Sequence, residues 1–505
     1  MLLSKENVEK INVPGIALPA EESFELPERV LQFGTGVLLR GLPDYYIDKA
    51  NKEGVFNGRV LVVKSTSSQG ADAFDKQNCV YTLCIKGIQD GKQVISYNVN
   101  NAISRVLAAS NDWQEILQSA HNPELTVVLS NTTEVGIVLS NDSVNDEPPV
   151  SFPGKLLAFL YERYKYFKGD GDKGLVILPT ELITDNATKL KSILLNLAKQ
   201  NLLGPEFEGW LLQANDFCNT LVDRIVPGKL PLEQQQQTEA ELGYNDELMI
   251  MAEPFSLWAI ETGSARVRER LSFASVDKGI VLVPSIEKFK EIKLRLLNGT
   301  HTFSCAAALG SGFQVVKESM SSDTFSVFVK NLMYKEIGPS ILDAYIEPSD
   351  VTQFASSVID RFSNPFLDHR WENIAMNYTS KMNMRNVPLL KKWYNKNMAS
   401  PAYMAFGFAA YIKFMDSSLE EGKYIATFGG QRVVLQDEFA SVLHEYWRDS
   451  VTVVAKVLRE DSLWGMDLTT YPGFEESVTQ YLQEINADGV LKTIEKLNIE
   501  WQVEY

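Results

Sequence analysis

The order of apolar and polar positions near the start of the chain predicts a strand, a glycine turn and a helix. Residues 30–33 form a short, mostly apolar run, as expected for a buried strand. Gly34 and Gly36 follow, and the next segment has apolar residues at helical spacing. A second apolar run, GRVLVVKSTS at 58–67, begins about 30 residues after the first, which is the period of a βαβ unit. The pattern therefore predicts alternating strands and helices.

Two later segments repeat the order of an apolar run and a polar loop: TVVLSNTTEVGI at 126–137 and GLVILPTELITDN at 174–186. Together these segments predict an α/β domain of Rossmann type, with a doubly wound parallel sheet, over residues 1–285. Residues 286–505 should form a second, mainly α-helical domain, because 285–310, 324–337 and 350–362 carry helix-period apolar residues. The one exception is a hairpin predicted around Gly429 and Gly430.

Composition and charge exclude several classes of partner. The 65 acidic residues outnumber the 48 basic ones and give a net charge of −17, which would repel nucleic acids and anionic membranes. No segment approaches the roughly 20 apolar residues that span a bilayer, and the first residues lack the apolar core of a signal peptide. The four cysteines and four histidines show no metal-ligand spacing. We therefore expect a cytoplasmic protein with reduced thiols and no metal site.

The glycine turn, Gly34-Thr35-Gly36, is a candidate dinucleotide-binding segment. Its glycines would let a pyrophosphate approach the backbone at the start of the following helix. The third glycine of the usual fingerprint is replaced by Leu39, so a purely structural turn is an equal alternative. The second strand ends at Lys64 without the acidic residue that binds an adenosine ribose. These residues therefore leave NAD and NADP open.

A second candidate is Lys293-x4-Asn298-x2-His301. At about 100° per residue, an α-helix places these three side chains at about 0°, 140° and 80°, on one face. Reduction of a ketone by hydride needs a proton donor and hydrogen bonds to the developing alkoxide, which a lysine and an asparagine can supply. The alternative is a solvated lysine and a core histidine.

The chain resembles the mannitol dehydrogenase family of polyol-specific long-chain dehydrogenases over nearly its whole length. The segments that carry the resemblance are LQFGTGVLLR, SNTTEVGI, PTELITDN, NTLVDRIVPG, KLRLLNGTH, RFSNPFLDHR and TSKMNMR. The resemblance implies a Rossmann-type domain, a helical domain and metal-independent hydride transfer with NAD. PTELI and SNTTEVGI favour the branch that acts on hexuronates, which implies reversible reduction of D-tagaturonate to D-altronate with NADH in hexuronate breakdown.

Three alternatives remain at this stage. The same chemistry on fructuronate and the same chemistry on a neutral polyol such as mannitol are the closest. A nucleotide-binding regulator without turnover is the third, although the acidic chain shows no DNA-binding element. The oligomeric state is not determined, and a monomer is compatible with the resemblance.

The resemblance also implies roles for individual residues. Lys293 would be the general acid/base, Asn298 and Asn186 would hold the reacting oxygen, and His301 would orient the substrate. The residues that would bind the cofactor are Phe33, Gly34, Gly36, Val37, Leu38, Thr132, Glu134 and Asp223. For Asp223 and its neighbour Arg224, a buried structural ion pair is the alternative. For Glu134, relaying protons and capping a loop are the alternatives.

A hexuronate carries a carboxylate, which needs a cationic partner on this acidic chain. The candidates in the C-terminal half are Arg361, Lys381 and Arg385. A guanidinium binds a carboxylate through two parallel hydrogen bonds, which favours Arg361 or Arg385. Each of them could instead form an ordinary salt bridge.

Overall fold

The structure is a computed structural model that describes residues 1–64, 71–132 and 136–500. The chain divides into two compact units. The first contains Met1–Lys86 and Gln93–Ile286, and the second contains Gly87–Lys92 and Glu287–Tyr505.

The described strands, in chain order, are β1 (Glu28–Phe33), β2 (Arg59–Lys64), β3 (Tyr81–Gln89), β4 (Lys92–Asn100), β5 (Ile103–Ala108), β6 (Val127–Ser130), β7 (Val176–Pro179), β8 (Asp216–Phe217), β9 (Thr220–Asp223), β10 (Ile250–Ala252), β11 (Leu257–Glu261), β12 (Ile280–Val283), β13 (Ser417–Glu420), β14 (Lys423–Phe428) and β15 (Gln431–Val434).

The α-helices up to residue 286 are α1 (Val37–Gly41), α2 (Pro43–Lys52), α3 (Ala71–Lys76), α4 (Trp113–Ser119), α5 (Phe152–Tyr166), α6 (Asn186–Gln200), α7 (Pro205–Gln213), α8 (Leu232–Leu242) and α9 (Ala265–Arg270). Short 3-10 helices cover Lys5–Lys10, Glu21–Glu25, Gly171–Lys173, Ser272–Ser275 and, in the second unit, Leu468–Thr470.

The α-helices after residue 286 are α10 (Glu287–Ile292), α11 (Thr300–Gly310), α12 (Val316–Met320), α13 (Asp323–Asn331), α14 (Gly338–Ile341), α15 (Pro348–Phe362), α16 (Trp371–Ile374), α17 (Tyr378–Lys381), α18 (Val387–Tyr394), α19 (Ala402–Phe414), α20 (Ala440–Trp447), α21 (Val453–Arg459), α22 (Asp461–Trp464), α23 (Phe474–Asp488) and α24 (Val490–Glu500). Three π-helical segments interrupt them: the first π-turn (Lys293–Gly299), the second (Leu332–Ile337) and the third (Met382–Asn386).

The first unit is built on a six-stranded sheet in the order β5-β2-β1-β6-β7-β8, and all its strand pairs are parallel. Successive residues of β1 point to opposite faces. Leu31 and Phe33 join a core with α5 and α6, whereas Val30 joins a core on the other face. A sheet covered on both faces has nearly continuous apolar strands, which is the pattern seen in the sequence. The Rossmann-type fold is confirmed.

The helix predicted after the glycine turn is divided into α1 and α2. Leu42 leaves the helical conformation, with φ of −133° and ψ of −77°. It precedes Pro43, whose ring disfavours an α conformation in the residue before it.

The second unit is mainly helical, as the sequence predicts, and has one continuous apolar core. α19 lies in this core, and all its residues except Lys413 are buried. The predicted hairpin is present as β14 and β15, with Gly429 and Gly430 at φ of 58° and 76° in a two-residue turn. β13 extends the hairpin to three strands. Within the described part of the chain, no helix is both long and apolar enough to cross a membrane.

Glu336 stabilises the N-terminus of α19. Its buried carboxylate accepts hydrogen bonds from the backbone N–H groups of Tyr403, at 2.9 Å, and Met404, at 2.8 Å. These N–H groups lie in the first turn of the helix, where they have no partner within the helix itself. Burial raises the pKa of Glu336 to about 7, although these hydrogen bonds act in the opposite direction.

We expect the Glu336→Ala change to lower the free energy of unfolding by about 2–4 kcal/mol, because it leaves two buried N–H groups unpaired. Glu336→Gln keeps an acceptor oxygen and should cost less. An unfolded glutamate has a pKa of about 4.3, so above that pH the folded wild-type protein still binds a proton that the unfolded chain has lost. Raising the pH from about 5 to about 8 should therefore lower the free energy of unfolding of the wild type relative to that of Glu336→Gln. Urea unfolding at both pH values measures this. Equal pH dependence of the two proteins would contradict the assignment.

Candidate active site

The glycine turn lies where the order of the parallel sheet reverses. β1 has β2 on one side and β6 on the other, so the turn after β1 and the loop after β6 meet at the carboxyl edge of the sheet. Gly34 has a φ of 122°, and a Cβ there would lie 3.2 Å from the backbone oxygen of Asn131. Ligands of open parallel sheets bind at such a point.

Gly36 differs from Gly34 in its surroundings. It is exposed and has a φ of −60°, which other residues adopt readily. A Cβ added there would meet no atom within 4 Å among the described residues. The fold therefore needs glycine at Gly34, whereas at Gly36 it leaves the backbone open to close approach by a ligand.

The loop after β6 is held by a buried carboxylate that sequence reasoning missed. Glu181 accepts hydrogen bonds from the backbone N–H of Thr132 at 2.9 Å and from its hydroxyl at 3.0 Å. Ser130 donates its hydroxyl to the other oxygen at 3.2 Å. Burial raises the pKa of Glu181, while these hydrogen bonds act in the opposite direction. Glu134, predicted in the same loop, lies outside the described residues.

The remaining predicted cofactor residues differ in exposure. Phe33 is buried, with its ring centroid 5.1 Å from that of Phe152. Val37 and Leu38 are half-buried at the start of α1, and Asp223 is buried at the end of β9. Phe33 and Asp223 therefore belong to the interior of the first unit, whereas Val37 and Leu38 are partly accessible.

Arg224, the neighbour of Asp223, makes structural contacts. Its buried guanidinium donates to the backbone oxygens of Glu253, at 3.0 Å, and Gly41, at 2.7 Å. It also lies 4.8 Å from the centre of the Tyr45 ring. These contacts tie α1 to the segment after β10.

Asn186 is fully buried in the first unit. Its amide nitrogen donates to the backbone oxygens of Pro179, at 2.9 Å, and of Glu181 and Thr220, both at 3.2 Å. Its amide oxygen accepts from the backbone N–H of Thr220 at 3.1 Å. The hydrogen bonds of this side chain thus join the loop after β7 to β9.

The Lys293–His301 segment begins in the first π-turn and continues into α11. Lys293 and Asn298 are half-buried, and His301 is only 8% exposed. In a π-turn the backbone hydrogen bonds join residue i to residue i+5, so residues five apart, such as Lys293 and Asn298, follow one another on one face. In the α-helix predicted from the sequence, these two side chains would be about 140° apart around the helix axis. The π-turn brings them closer together around that axis.

His301 has an aromatic and cationic environment. Its ring stacks on Phe362, with centroids 4.1 Å apart, and meets the His369 ring edge-on at 5.1 Å. Its Nε2 has no hydrogen-bond partner among the described residues. Burial lowers the pKa of His301, and the charges of His369, Arg361, Arg385 and Lys381 lower it further. The imidazole is therefore neutral at physiological pH.

Arg361, Lys381 and Arg385 form a cationic cluster beside His301. Arg361 is 6% exposed, and the other two side chains are half-buried. Lys381 donates to the backbone oxygen of Ile374 at 2.9 Å, and Arg385 donates to the Thr302 hydroxyl at 3.1 Å. Burial lowers the pKa of Lys381, and the charge of Arg385 contributes. The structure therefore brings together the three cations that the sequence singled out.

Five further buried polar atoms have no hydrogen-bond partner among the described residues: Thr300 Oγ1, Ser304 Oγ, Trp371 Nε1, Arg385 Nε and Asn386 Oδ1. They belong to α11, to α16 and to the third π-turn, and the Trp371 ring lies 6.0 Å from that of His301 between centroids. His369 and Asn386 were not predicted from sequence, although His369 lies in RFSNPFLDHR, which carries the family resemblance, and Asn386 directly follows TSKMNMR.

Among the residues that the structure describes, no three or more His, Cys, Asp or Glu side chains are grouped so that they could hold a metal ion.

Comparison with known proteins identifies the family. Residues 28–272 match the mannitol dehydrogenase Rossmann domain, and residues 285–486 match the mannitol dehydrogenase C-terminal domain. An altronate oxidoreductase of Bacillus subtilis (strain 168) is 36% identical over 477 residues, or 94% of this chain and 96% of the relative. An altronate oxidoreductase of Shigella flexneri is 35% identical over 485 residues, or 94% and 97%.

Solved structures show the same fold. Pseudomonas fluorescens mannitol 2-dehydrogenase, in a ternary complex with NAD and D-mannitol, has a TM-score of 0.67 and 20% identity and covers 98% of this chain and 99% of its own. A substrate-free D-sorbitol dehydrogenase has a TM-score of 0.75 and 19% identity, covering 98% and 100%. Both family domains and the full-length relatives thus agree, and the chain belongs to the mannitol dehydrogenase family, oxidoreductases that act on CH–OH groups with a nicotinamide nucleotide.

Proposed function

We propose that the protein reduces D-tagaturonate to D-altronate, reversibly and with NADH, as a step of hexuronate breakdown. The observation that carries the proposal is the cationic cluster beside the buried His301, in the same unit as Lys293 and Asn298. A neutral polyol needs no such cluster, whereas a hexuronate carboxylate does. The names of the altronate oxidoreductase relatives point to the same substrate.

The roles of the second unit follow from its side chains. The Lys293 ammonium donates a proton to the oxygen of the ketone as the alcohol forms. Asn298 donates an amide hydrogen bond to the same oxygen, and the unpaired Nε2 of His301 orients a hydroxyl of the substrate. Arg361, Lys381 or Arg385 binds the carboxylate. When bound, NADH would supply the hydride.

The proposal does not depend on Asn186. The hydrogen bonds described for its amide join the loop after β7 to Thr220 of β9, so Asn186 would have to exchange one of them to bind a substrate oxygen. We therefore propose that Asn186 positions this loop and contributes to the reacting oxygen only through such an exchange.

The first unit would bind NAD at the turn after β1. Gly36 leaves its backbone open to a pyrophosphate, and Thr132, fixed by Glu181, lies in the neighbouring loop. Phe33, Val37, Leu38 and Asp223 would form the remaining walls and support. The choice of NAD over NADP is part of this proposal.

Gly36→Ala is expected to weaken NADH binding about tenfold or more while the thermal midpoint of unfolding stays within a few degrees. The added methyl group meets no described atom of the protein but occupies the place of approach of a pyrophosphate. Fluorescence titration of NADH and thermal unfolding measure the two effects. Gly34→Ala is the contrast, since its φ of 122° should reduce stability as well. Unchanged NADH affinity in Gly36→Ala would contradict the proposed cofactor site.

The function is tested by following NADH oxidation with tagaturonate, fructuronate and fructose offered separately, first without added metal and then with EDTA. Rapid turnover of tagaturonate that EDTA does not change would support the proposal. Preference for fructuronate would change the substrate but keep the cationic cluster in its role. Preference for fructose would place the protein among the polyol dehydrogenases and remove the need for a carboxylate site.

A further inference from the structure

We infer that Arg295 is a positioning residue that fixes the first π-turn against the third, so that the proton donor and the cationic cluster keep one relative geometry. The inference rests on the proposed function, which assigns the proton donor to the first π-turn and a carboxylate-binding cation to the third. The contacts themselves do not depend on it.

The side chain of Arg295 connects three elements of the second unit. It is 7% exposed and lies in the first π-turn, two residues after Lys293. Its Nη1 donates to the backbone oxygens of Met384, at 2.9 Å, and Arg385, at 2.6 Å. Its Nε donates to the Glu291 carboxylate at 3.2 Å. One buried guanidinium thus joins the segment of the proton donor to the segment of Arg385.

The chemistry of this contact suits arginine. Backbone oxygens near the end of a helical segment can lack a partner within it, and Arg295 donates to two oxygens near the end of the third π-turn, those of Met384 and Arg385. A guanidinium has five donors in a rigid plane and can bind two oxygens and a carboxylate together. Lysine has a single nitrogen on a flexible chain and cannot reproduce this arrangement.

Glu291 fixes Arg295 from the other side. Its Oε1 accepts from Arg295 and, at 2.9 Å, from Lys392 of α18. α18 begins directly after the third π-turn. Arg295 and Glu291 therefore both contact the segment formed by the third π-turn and α18, Arg295 through backbone oxygens and Glu291 through Lys392.

A positioning role has a signature that a purely structural role lacks. The third π-turn supplies a cation for the carboxylate, whereas the first supplies the groups for the reacting oxygen. If the link between the two π-turns is loosened, kcat/KM should fall more for a hexuronate, which contacts both π-turns, than for fructose, which has no carboxylate. A loss of general stability would instead lower turnover of every substrate by the same factor.

The test compares Arg295→Lys and Arg295→Gln with wild type and with Arg459→Lys, whose side chain is 60% exposed. We expect kcat/KM for the hexuronate to fall about tenfold to a hundredfold, with at least a tenfold smaller loss for fructose and unchanged NADH affinity. Free guanidinium, far below unfolding concentrations, should restore part of the kcat of Arg295→Gln. Arg459→Lys should match wild type.

Two outcomes would overturn the inference. One is an equal loss with both substrates and no rescue by guanidinium, which would make Arg295 structural only. The other is wild-type kcat and KM in Arg295→Lys and Arg295→Gln at unchanged stability. The proposed function is tested separately, because the wild-type protein alone shows which ketone is reduced. If fructose alone is reduced, the proposed function fails and the link is tested on fructose: a loss of kcat in Arg295→Gln that guanidinium restores supports it, and an unchanged kcat overturns it.

Discussion

Replacing Lys293 with alanine is expected to lower kcat for ketone reduction by about 10²- to 10⁴-fold, the usual contribution of a positioned general acid. The Kd for NADH should change by less than about threefold, because the cofactor residues proposed here belong to the first unit. Single-turnover reduction measures the chemical step, and fluorescence titration of NADH measures binding. The contrast between the two quantities identifies a group that acts on the reacting oxygen.

Lys330→Ala is the matched control, because Lys330 is an exposed helical lysine of the same unit. It should keep both the rate and the NADH affinity of the wild type. A Lys293→Ala protein that kept its rate but lost NADH affinity would show that Lys293 serves the cofactor and is not the proton donor.

The second large effect is expected at the cationic cluster. Arg385→Gln and Arg361→Gln should each raise KM for the hexuronate, and the arginine that binds the carboxylate directly should raise it about tenfold to a hundredfold. This range corresponds to a hydrogen bond to a charged group, worth about 1.5–3 kcal/mol. Fructose, which has no carboxylate, should be reduced with an unchanged KM. Steady-state kinetics with both substrates separates the two arginines.

Arg370→Gln provides the control, since Arg370 is an exposed arginine that pairs with Glu372 near the same segment. Its KM for both substrates should equal that of the wild type. If both Arg361→Gln and Arg385→Gln leave the KM for the hexuronate unchanged, neither arginine binds the carboxylate, and Lys381 is the only cation of the proposed cluster left for that role.

Most of the fold could be predicted from sequence because its signals are local. The apolar runs of β1, β2, β6 and β7 reflect a sheet covered on both faces, and this burial is visible in each strand separately. The hairpin at Gly429 and Gly430 needs positive φ at both turn positions, which glycine marks directly. The β3 and β4 strands were not predicted, although Asp90-Gly91 between them is the kind of turn that marks a hairpin.

The site was predicted in part. Lys293, Asn298 and His301 share a segment, so their spacing alone suggested a common face. Glu181 was missed, although a polar residue just after β7 could have been paired with the loop after the neighbouring β6. His369 and Arg295 gave no local signal, because what distinguishes them is contact with segments distant in sequence.

Neighbouring residues are enough to specify the alternation of strands and helices, the glycine turn after β1 and the segment from Lys293 to His301, so the sequence alone predicts these features. The π-turn at 293–299 depends on tertiary contacts instead, because its extra residue per turn is accommodated by packing and by hydrogen bonds such as the one that Arg295 donates to the backbone oxygen of Arg385. Tertiary contacts also bring Arg361, Lys381 and Arg385 together beside His301. Their charges repel one another, so the fold has to hold them in place; Lys381 donates to the backbone oxygen of Ile374, and Arg385 donates to the Thr302 hydroxyl.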